Sequence, residues 1–139
     1  MKQLNNPKVL LVEDFEDTRQ MMRQFLELGG CRVLEAANGR EAIEVAERES
    51  PELILMDLNM PVLDGFTATV RIRENERLSR VPIVALTAFD TTEFRAAAKA
   101  IGCNEYVSKP IDFAELMTLL ENLLPEAEAA SGVELKVAG

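Results

Sequence analysis

Four short apolar runs, each stopped by a polar residue, constrain this 139-residue chain more than anything else in it. Val9-Leu10-Leu11-Val12 ends in Glu13-Asp14, and Leu53-Ile54-Leu55-Met56 ends in Asp57. Ile83-Val84-Ala85-Leu86 ends in Thr87, and a weaker run at Tyr106-Val107 ends in Ser108-Lys109-Pro110. Runs of this length and composition read as strands of a parallel sheet buried on both faces. In an open parallel α/β sheet, ligands bind beyond the carboxyl ends of the strands. Three carboxylates, one hydroxyl and one amine should therefore meet at one edge, an inventory that suits a divalent cation and a phosphoryl group.

The stretches between the runs carry helical signals. Lys8–Val12 is expected as the first strand and Glu16–Leu28 as the first helix, with Met21, Met22, Phe25 and Leu26 inward and Gly29-Gly30 as its stop. Cys31–Ala36 reads as the second strand. Asn38 opens the second helix, Glu41 completes an Asn-x-x-Glu capping pattern, and the helix ends near Glu49, before Pro51. Glu52–Asp57 is the third strand, and Asp64 begins a third helix that runs to about Glu74. Val81–Leu86 is the fourth strand, with Pro82 tolerated near its start. Asp90 with Glu93 suggests the cap of a fourth helix that Gly102 stops; Asn104–Val107 is the fifth strand. Asp112 with Glu115 caps a fifth helix that reaches about Leu124, before Pro125. Five strand–helix units with right-handed crossovers make an α/β, doubly wound (βα)5 parallel sheet. Periodicity does not separate the two common strand orders; five strands suit 2-1-3-4-5, the flavodoxin-like order. In that order Cys31 and Cys103 lie on opposite edges, roughly 19 Å apart at about 4.8 Å per strand, too far for a disulfide.

Composition removes several function classes. Lys and Arg total 15 against 24 Asp and Glu, a net charge of −9. No basic face is available for direct nucleic-acid binding. The chain has no His, so a Cys/His zinc site or a Cys–His nucleophile is excluded. No apolar stretch approaches the roughly 18 residues of a membrane span, and Met1–Lys8 lacks the apolar core of a secretory signal. A cytoplasmic location, without membrane insertion, is the expectation. The chain is long enough to bury roughly 68% of its unfolded surface as one domain.

Adjacent carboxylates repel unless a cation neutralises them. Mg2+ suits Glu13, Asp14 and Asp57, with the backbone carbonyl of Asn59 as a further oxygen ligand and room left for phosphate oxygens. Lys109 supplies a point charge for a phosphoryl group, Thr87 a hydroxyl and Ala88 a backbone N–H. The side chains of Asn59 and Phe89 are expected to flank the approach to Asp57.

The order and spacing of these pieces resemble the receiver domain of bacterial two-component response regulators. The matching stretches are Leu-Leu-Val-Glu13-Asp14, Leu-Met-Asp57-Leu-Asn-Met-Pro-Val-Leu-Asp-Gly, Ile-Val-Ala-Leu-Thr87-Ala and Tyr106-Val-Ser-Lys109-Pro110. The resemblance spans roughly residues 8–124. It implies that Asp57 is the phosphoacceptor, taking a phosphoryl group from phosphohistidine, and that Glu13 and Asp14 bind Mg2+, for which Mn2+ can substitute. It implies that Lys109 pairs with the aspartyl phosphate, that Thr87 and Tyr106 form the switch, and that the Lys109–Pro110 bond is cis. Many relatives carry Asp-Asp where this chain has Glu13-Asp14, which alters the metal geometry but keeps the charge. The implied partners are a histidine kinase or histidine phosphotransfer protein and a downstream protein target.

On this reading residues 1–125 form the receiver and residues 126–139 a disordered tail, because the tail is acidic and broken by Ser131-Gly132. The expected product is a signalling phosphoprotein with at most slow self-dephosphorylation. Two alternatives use the same carboxylates: a Mg2+-dependent phosphatase or phosphotransferase with an aspartyl-phosphate intermediate, and a receiver cut from a hybrid kinase. The phosphatase normally needs a second acid beside the nucleophile and a cap domain; Asp57-Leu58-Asn59 lacks the acid.

Overall fold

Alternate residues of the central strands face two separate cores. Leu10 and Val12, Ile54 and Met56, and Ile83 and Ala85 line one; Val9 and Leu11, Leu53 and Leu55, and Val84 and Leu86 line the other. The computed structural model describes residues 3–60 and 64–124. Its strands are β1 (Lys8–Val12), β2 (Arg32–Ala36), β3 (Leu53–Asp57), β4 (Ile83–Thr87) and β5 (Glu105–Ser108). Its helices are α1 (Glu16–Leu28), α2 (Gly39–Glu49), α3 (Gly65–Glu74), α4 (Thr92–Ala100) and α5 (Phe113–Leu123). All neighbouring strands run parallel in the order β2-β1-β3-β4-β5.

The two cores explain the helix compositions. Helices α2, α3 and α4 press Ala42, Ala46, Ala68, Ile72 and Ala98 onto one face of the sheet. Helices α1 and α5 press Met22, Leu26, Leu116, Met117 and Leu120 onto the other. Small residues let three helices approach one face closely, while two helices fill the opposite face with larger side chains. No helix among the described residues is long and apolar enough to cross a membrane.

Several local expectations need correction. Met21 is 53% exposed, not inward. Successive helical residues differ by about 100°, and the buried arc of α1 is centred on Met22 and Leu26. Asp90 does not cap α4: Thr91 does, its hydroxyl accepting the Phe94 N–H, while Asp90 pairs with Arg95. The extended backbone of Thr91 delays the helix by one residue beyond the Asp90–Glu93 pattern. Strands β2, β3 and β5 start one residue later than expected and β4 two later, while β4 and β5 extend one residue further, to Thr87 and Ser108. A short 3-10 turn at Glu76–Leu78, capped by Asn75, was not anticipated. The expected tail at residues 126–139 lies outside the described residues, as does the Pro61–Leu63 part of the motif. Other caps form as expected: Asn38 accepts from Glu41 N–H, Asp64 from Thr67 N–H and Asp112 from Glu115 N–H. Cys31 and Cys103 are free and buried, and burial pushes both thiols up to about 11.

Candidate functional site

Strand register assembles the carboxyl edge. Val12 pairs with Met56, which brings Glu13 level with Asp57. Asp57 pairs with Leu86, leaving Thr87 just beyond it, and Thr87 pairs with Ser108, leaving Lys109 next in line. Gly65 opens α3 against the end of β3; a Cβ there would collide with the Asp57 carbonyl and lie 2.7 Å from Leu58 Cα. The glycine therefore allows the helix start to abut the strand that carries Asp57.

Asp57 is 1% exposed. Its Oδ1 accepts the Asn59 N–H at 2.9 Å and its Oδ2 accepts from Lys109 Nζ at 3.3 Å. The same ammonium donates to Glu13 Oε1 at 3.2 Å. The second Glu13 oxygen accepts the Phe15 N–H at 3.1 Å. Asp14 is exposed, yet one oxygen from each of Glu13, Asp14 and Asp57 lies within 4.8 Å of the others. Lys109 reaches inward from a loop whose Lys109–Pro110 bond is cis.

One ammonium among three carboxylates leaves negative charge to be balanced. Burial pushes the Asp57 carboxyl up to about 6; the Asn59 N–H and Lys109 pull it down, while Glu13 adds to the rise. For Lys109, burial opposes the charge, but Asp57 and Glu13 outweigh it and hold the ammonium above its usual value. A cluster of hard oxygen donors with excess negative charge fits a small divalent cation. Both Glu13 oxygens already accept one hydrogen bond, but a carboxylate has about four lone-pair sites, so coordination remains open to it.

Thr87 is fully buried, and its hydroxyl is bonded elsewhere than to Asp57. Its hydroxyl donates to Asn59 Oδ1 at 2.8 Å and accepts the Phe89 N–H at 3.0 Å. The Asn59 side chain thus holds Thr87. The Tyr106 hydroxyl is buried and approaches Thr87 without a hydrogen bond of good geometry. The Tyr106 ring packs edge-on to Phe94 at 6.4 Å, under the Arg95 guanidinium at 4.9 Å. Phe94 also touches Phe66 at 5.2 Å and Phe89 at 5.5 Å. Phe89 is 54% exposed and leans on Phe94. Sequence reading missed Phe94 and the close approach of Gly65 to Asp57; it places Arg95 only on an exposed output face, not over the Tyr106 ring. The Phe94 signal was its place one turn into a helix that follows Thr87; the Gly65 signal was a glycine directly after a helix cap.

Residues 9–121 match the response regulator receiver domain family, and the chain belongs to it. CheY4, a chemotaxis protein of Vibrio cholerae, is similar in structure: TM-score 0.82 and 34% identity, covering 86% of this chain and 99% of that one. The receiver domain of the sensor histidine kinase PA1611 from Pseudomonas aeruginosa PAO1 has a magnesium ion coordinated in its active-site cleft. It is 40% identical with a TM-score of 0.79, covering 85% of this chain and 97% of its own. In Saccharomyces cerevisiae, the receiver domain of the response regulator Ssk1 was crystallised with the histidine phosphotransfer protein Ypd1. That similarity has a TM-score of 0.77 at 33% identity, covering 83% of this chain and 86% of the other. The chain is thus a receiver of two-component or phosphorelay signalling.

Proposed function

We propose that Asp57 is the phosphoacceptor of this receiver, and that it takes its phosphoryl group from a phosphohistidine on a histidine kinase or histidine phosphotransfer protein. The observation that carries this is the buried Glu13–Lys109–Asp57 bridge, with Asp14 in reach, at the carboxyl edge of the sheet. An ionised Asp57 oxygen attacks phosphorus; the new O–P bond forms as the P–N bond breaks, and the imidazole nitrogen leaves with the bonding pair. Lys109 Nζ, already 3.3 Å from Oδ2, then pairs with a phosphoryl oxygen. Glu13, Asp14 and Asp57, with the Asn59 main-chain carbonyl, would hold Mg2+ or in its place Mn2+, which supplies neutralisation of the gathered negative charge. The remaining work belongs to the protein: Asn59 N–H orients the carboxylate, and Lys109 fixes the incoming group.

Phosphorylation offers Thr87 a charged acceptor in place of the Asn59 amide oxygen. A hydrogen bond to a charged group contributes about 1.5–3 kcal/mol, a neutral one about 0.5–1.5. The hydroxyl therefore transfers, and Tyr106, packed beside it, responds; ligand shifts such an equilibrium only by its preference for one state. Output goes to a downstream protein target by contact. The unit spans residues 1–125, works in the cytoplasm and turns over no substrate beyond slow loss of its own phosphoryl group. The likeness to PA1611 favours a second context, a receiver within a hybrid kinase.

Intact-mass spectrometry after incubation with acetyl phosphate tests the reading. Wild type should gain one phosphoryl group with Mg2+ and none with EDTA, and Asp57→Asn should gain none. Equal labelling of both proteins refutes it.

A further inference from the structure

We propose that Arg19 is a positioning residue for the cation-binding acidic pair: it locks the peptide that joins Glu13 to Asp14. This rests on the reading of Glu13, Asp14 and Asp57 as a Mg2+ seat. Asp14 has no side-chain hydrogen bond among the described residues, so its carboxylate is aimed by its backbone alone. That backbone is gripped from both sides. The Glu13 N–H donates to the Ala36 carbonyl at 3.1 Å, at the end of β2. The Glu13 carbonyl accepts from Arg19 Nη1 at 2.9 Å. A rotation of the peptide between Glu13 and Asp14 would break the second bond and swing Asp14 away from Asp57.

Arg19 is itself held. Its Nε donates to Glu35 Oε1 on β2 at 2.9 Å, and its backbone N–H closes the first turn of α1 on the Phe15 carbonyl. Arg23, one turn later, binds the other Glu35 oxygen. The Arg19 and Glu35 side chains are 15% and 21% exposed, so the bridge is largely shielded from water. Glu35 thereby fixes the guanidinium and also offsets its charge beside a site that must attract a cation. Only arginine does this with one side chain, because the fork presents separate donors to the carboxylate and to the carbonyl. Partners one step removed from a metal commonly govern affinity about 10–100-fold.

Charge and positioning predict opposite signs. Removing a cation near the site tightens Mg2+ binding if Arg19 acts only through charge. It weakens binding if Arg19 holds the loop. Amide-NMR titration with Mg2+ reads the difference in wild type, Arg19→Met, Arg19→Lys and Arg23→Met. Arg23→Met is the matched control: it removes the same charge and a bond to the same Glu35, but touches no atom of residues 13–14. Arg19→Met should weaken Mg2+ binding about tenfold. Arg19→Lys should also weaken it, with charge unchanged, and Arg23→Met should leave it the same or slightly tighter. Phosphorylation by acetyl phosphate should recover in Arg19→Met at saturating Mg2+. Wild-type or tighter affinity in Arg19→Met overturns the inference, as does equal weakening in Arg23→Met. If Arg19→Met does not fold, wild-type affinity in Arg19→Lys overturns it. Absence of Mg2+ binding in wild type would instead refute the metal seat itself.

Discussion

The corner where β1 meets α1 and the corner where β4 meets α4 flank the same carboxylate, but different forces hold them. The first is ionic: Glu13, Lys109, Arg19 and Glu35 bind one another or the backbone in fixed directions, with Asp14 beside them. The second is made of a hydroxyl and rings packed edge-on or tilted: Thr87 on Asn59, then Phe89, Phe94, Tyr106 and Phe66 in contact. An aromatic pair contributes about 0.5–1.5 kcal/mol beyond its buried area, so such a cluster can repack at modest cost. Buried charges allow no such exchange, since separating them leaves each without a partner. On the proposed function, the ionic corner stays and the aromatic corner moves.

Lys109→Met attacks the ionic corner at its centre and should have the largest effect. It leaves Glu13 and Asp57 facing each other without a cation. Breaking a fully buried pair costs about 3–5 kcal/mol. Lys109 is 28% exposed, so a loss of about 2–4 kcal/mol is expected by urea unfolding in the metal-free protein. A loss under about 1 kcal/mol would show that the corner is not held by charge.

Asp57→Asn should act in the opposite direction. Burial makes the folded protein hold the Asp57 proton more tightly than the unfolded chain does. Asp57 then favours folding most below about pH 4, where it is protonated, and that contribution is lost as pH rises through about 6. Metal-free wild type should lose on the order of 1–3 kcal/mol across this window through Asp57. Asp57→Asn should lack that component and be more stable at pH 7. Identical pH profiles of unfolding for the two proteins would contradict the burial of charge at Asp57.

Thr87→Ala loses two neutral hydrogen bonds, an expected cost of about 1–2 kcal/mol. It should still be phosphorylated at Asp57, but its affinity for the target should no longer depend on phosphorylation. Retained dependence would remove Thr87 from the coupling. Phe89 should matter least for stability, under about 1 kcal/mol on change to Ala, because the ring is half in water. Its effect should appear in lifetime: phosphorylated Phe89→Glu should decay faster than wild type if the ring shields the approach to Asp57. Equal decay rates would show that the ring, leaning on Phe94, leaves that path open.

The fold was legible because the central strands are apolar on both faces, and polar residues at their carboxyl ends mark one edge. Glu13, Asp14, Asp57, Thr87 and Lys109 were readable for the same reason, each closing a run. What sequence did not show depends on directions fixed only in the packed chain. Asn59 holds Thr87 through its side chain because β3 and β4 end side by side, a register that periodicity does not give. The cap of α4 is Thr91 rather than Asp90 because two adjacent residues can both cap, and Asp90 is engaged by Arg95. Arg19 is one of many basic residues on helix surfaces, and nothing in its neighbours reveals that its guanidinium turns back to the Glu13 carbonyl.

The contrast between the two corners is tested most directly by a crystal structure of the protein with Mg2+ and beryllofluoride, a mimic of the phosphoryl group, on Asp57. The account predicts that Thr87 Oγ1 leaves Asn59 Oδ1, now 2.8 Å away, for a fluorine of the mimic, while Arg19 stays on the Glu13 carbonyl. Thr87 still bonded to Asn59 with the mimic fully bound would contradict it.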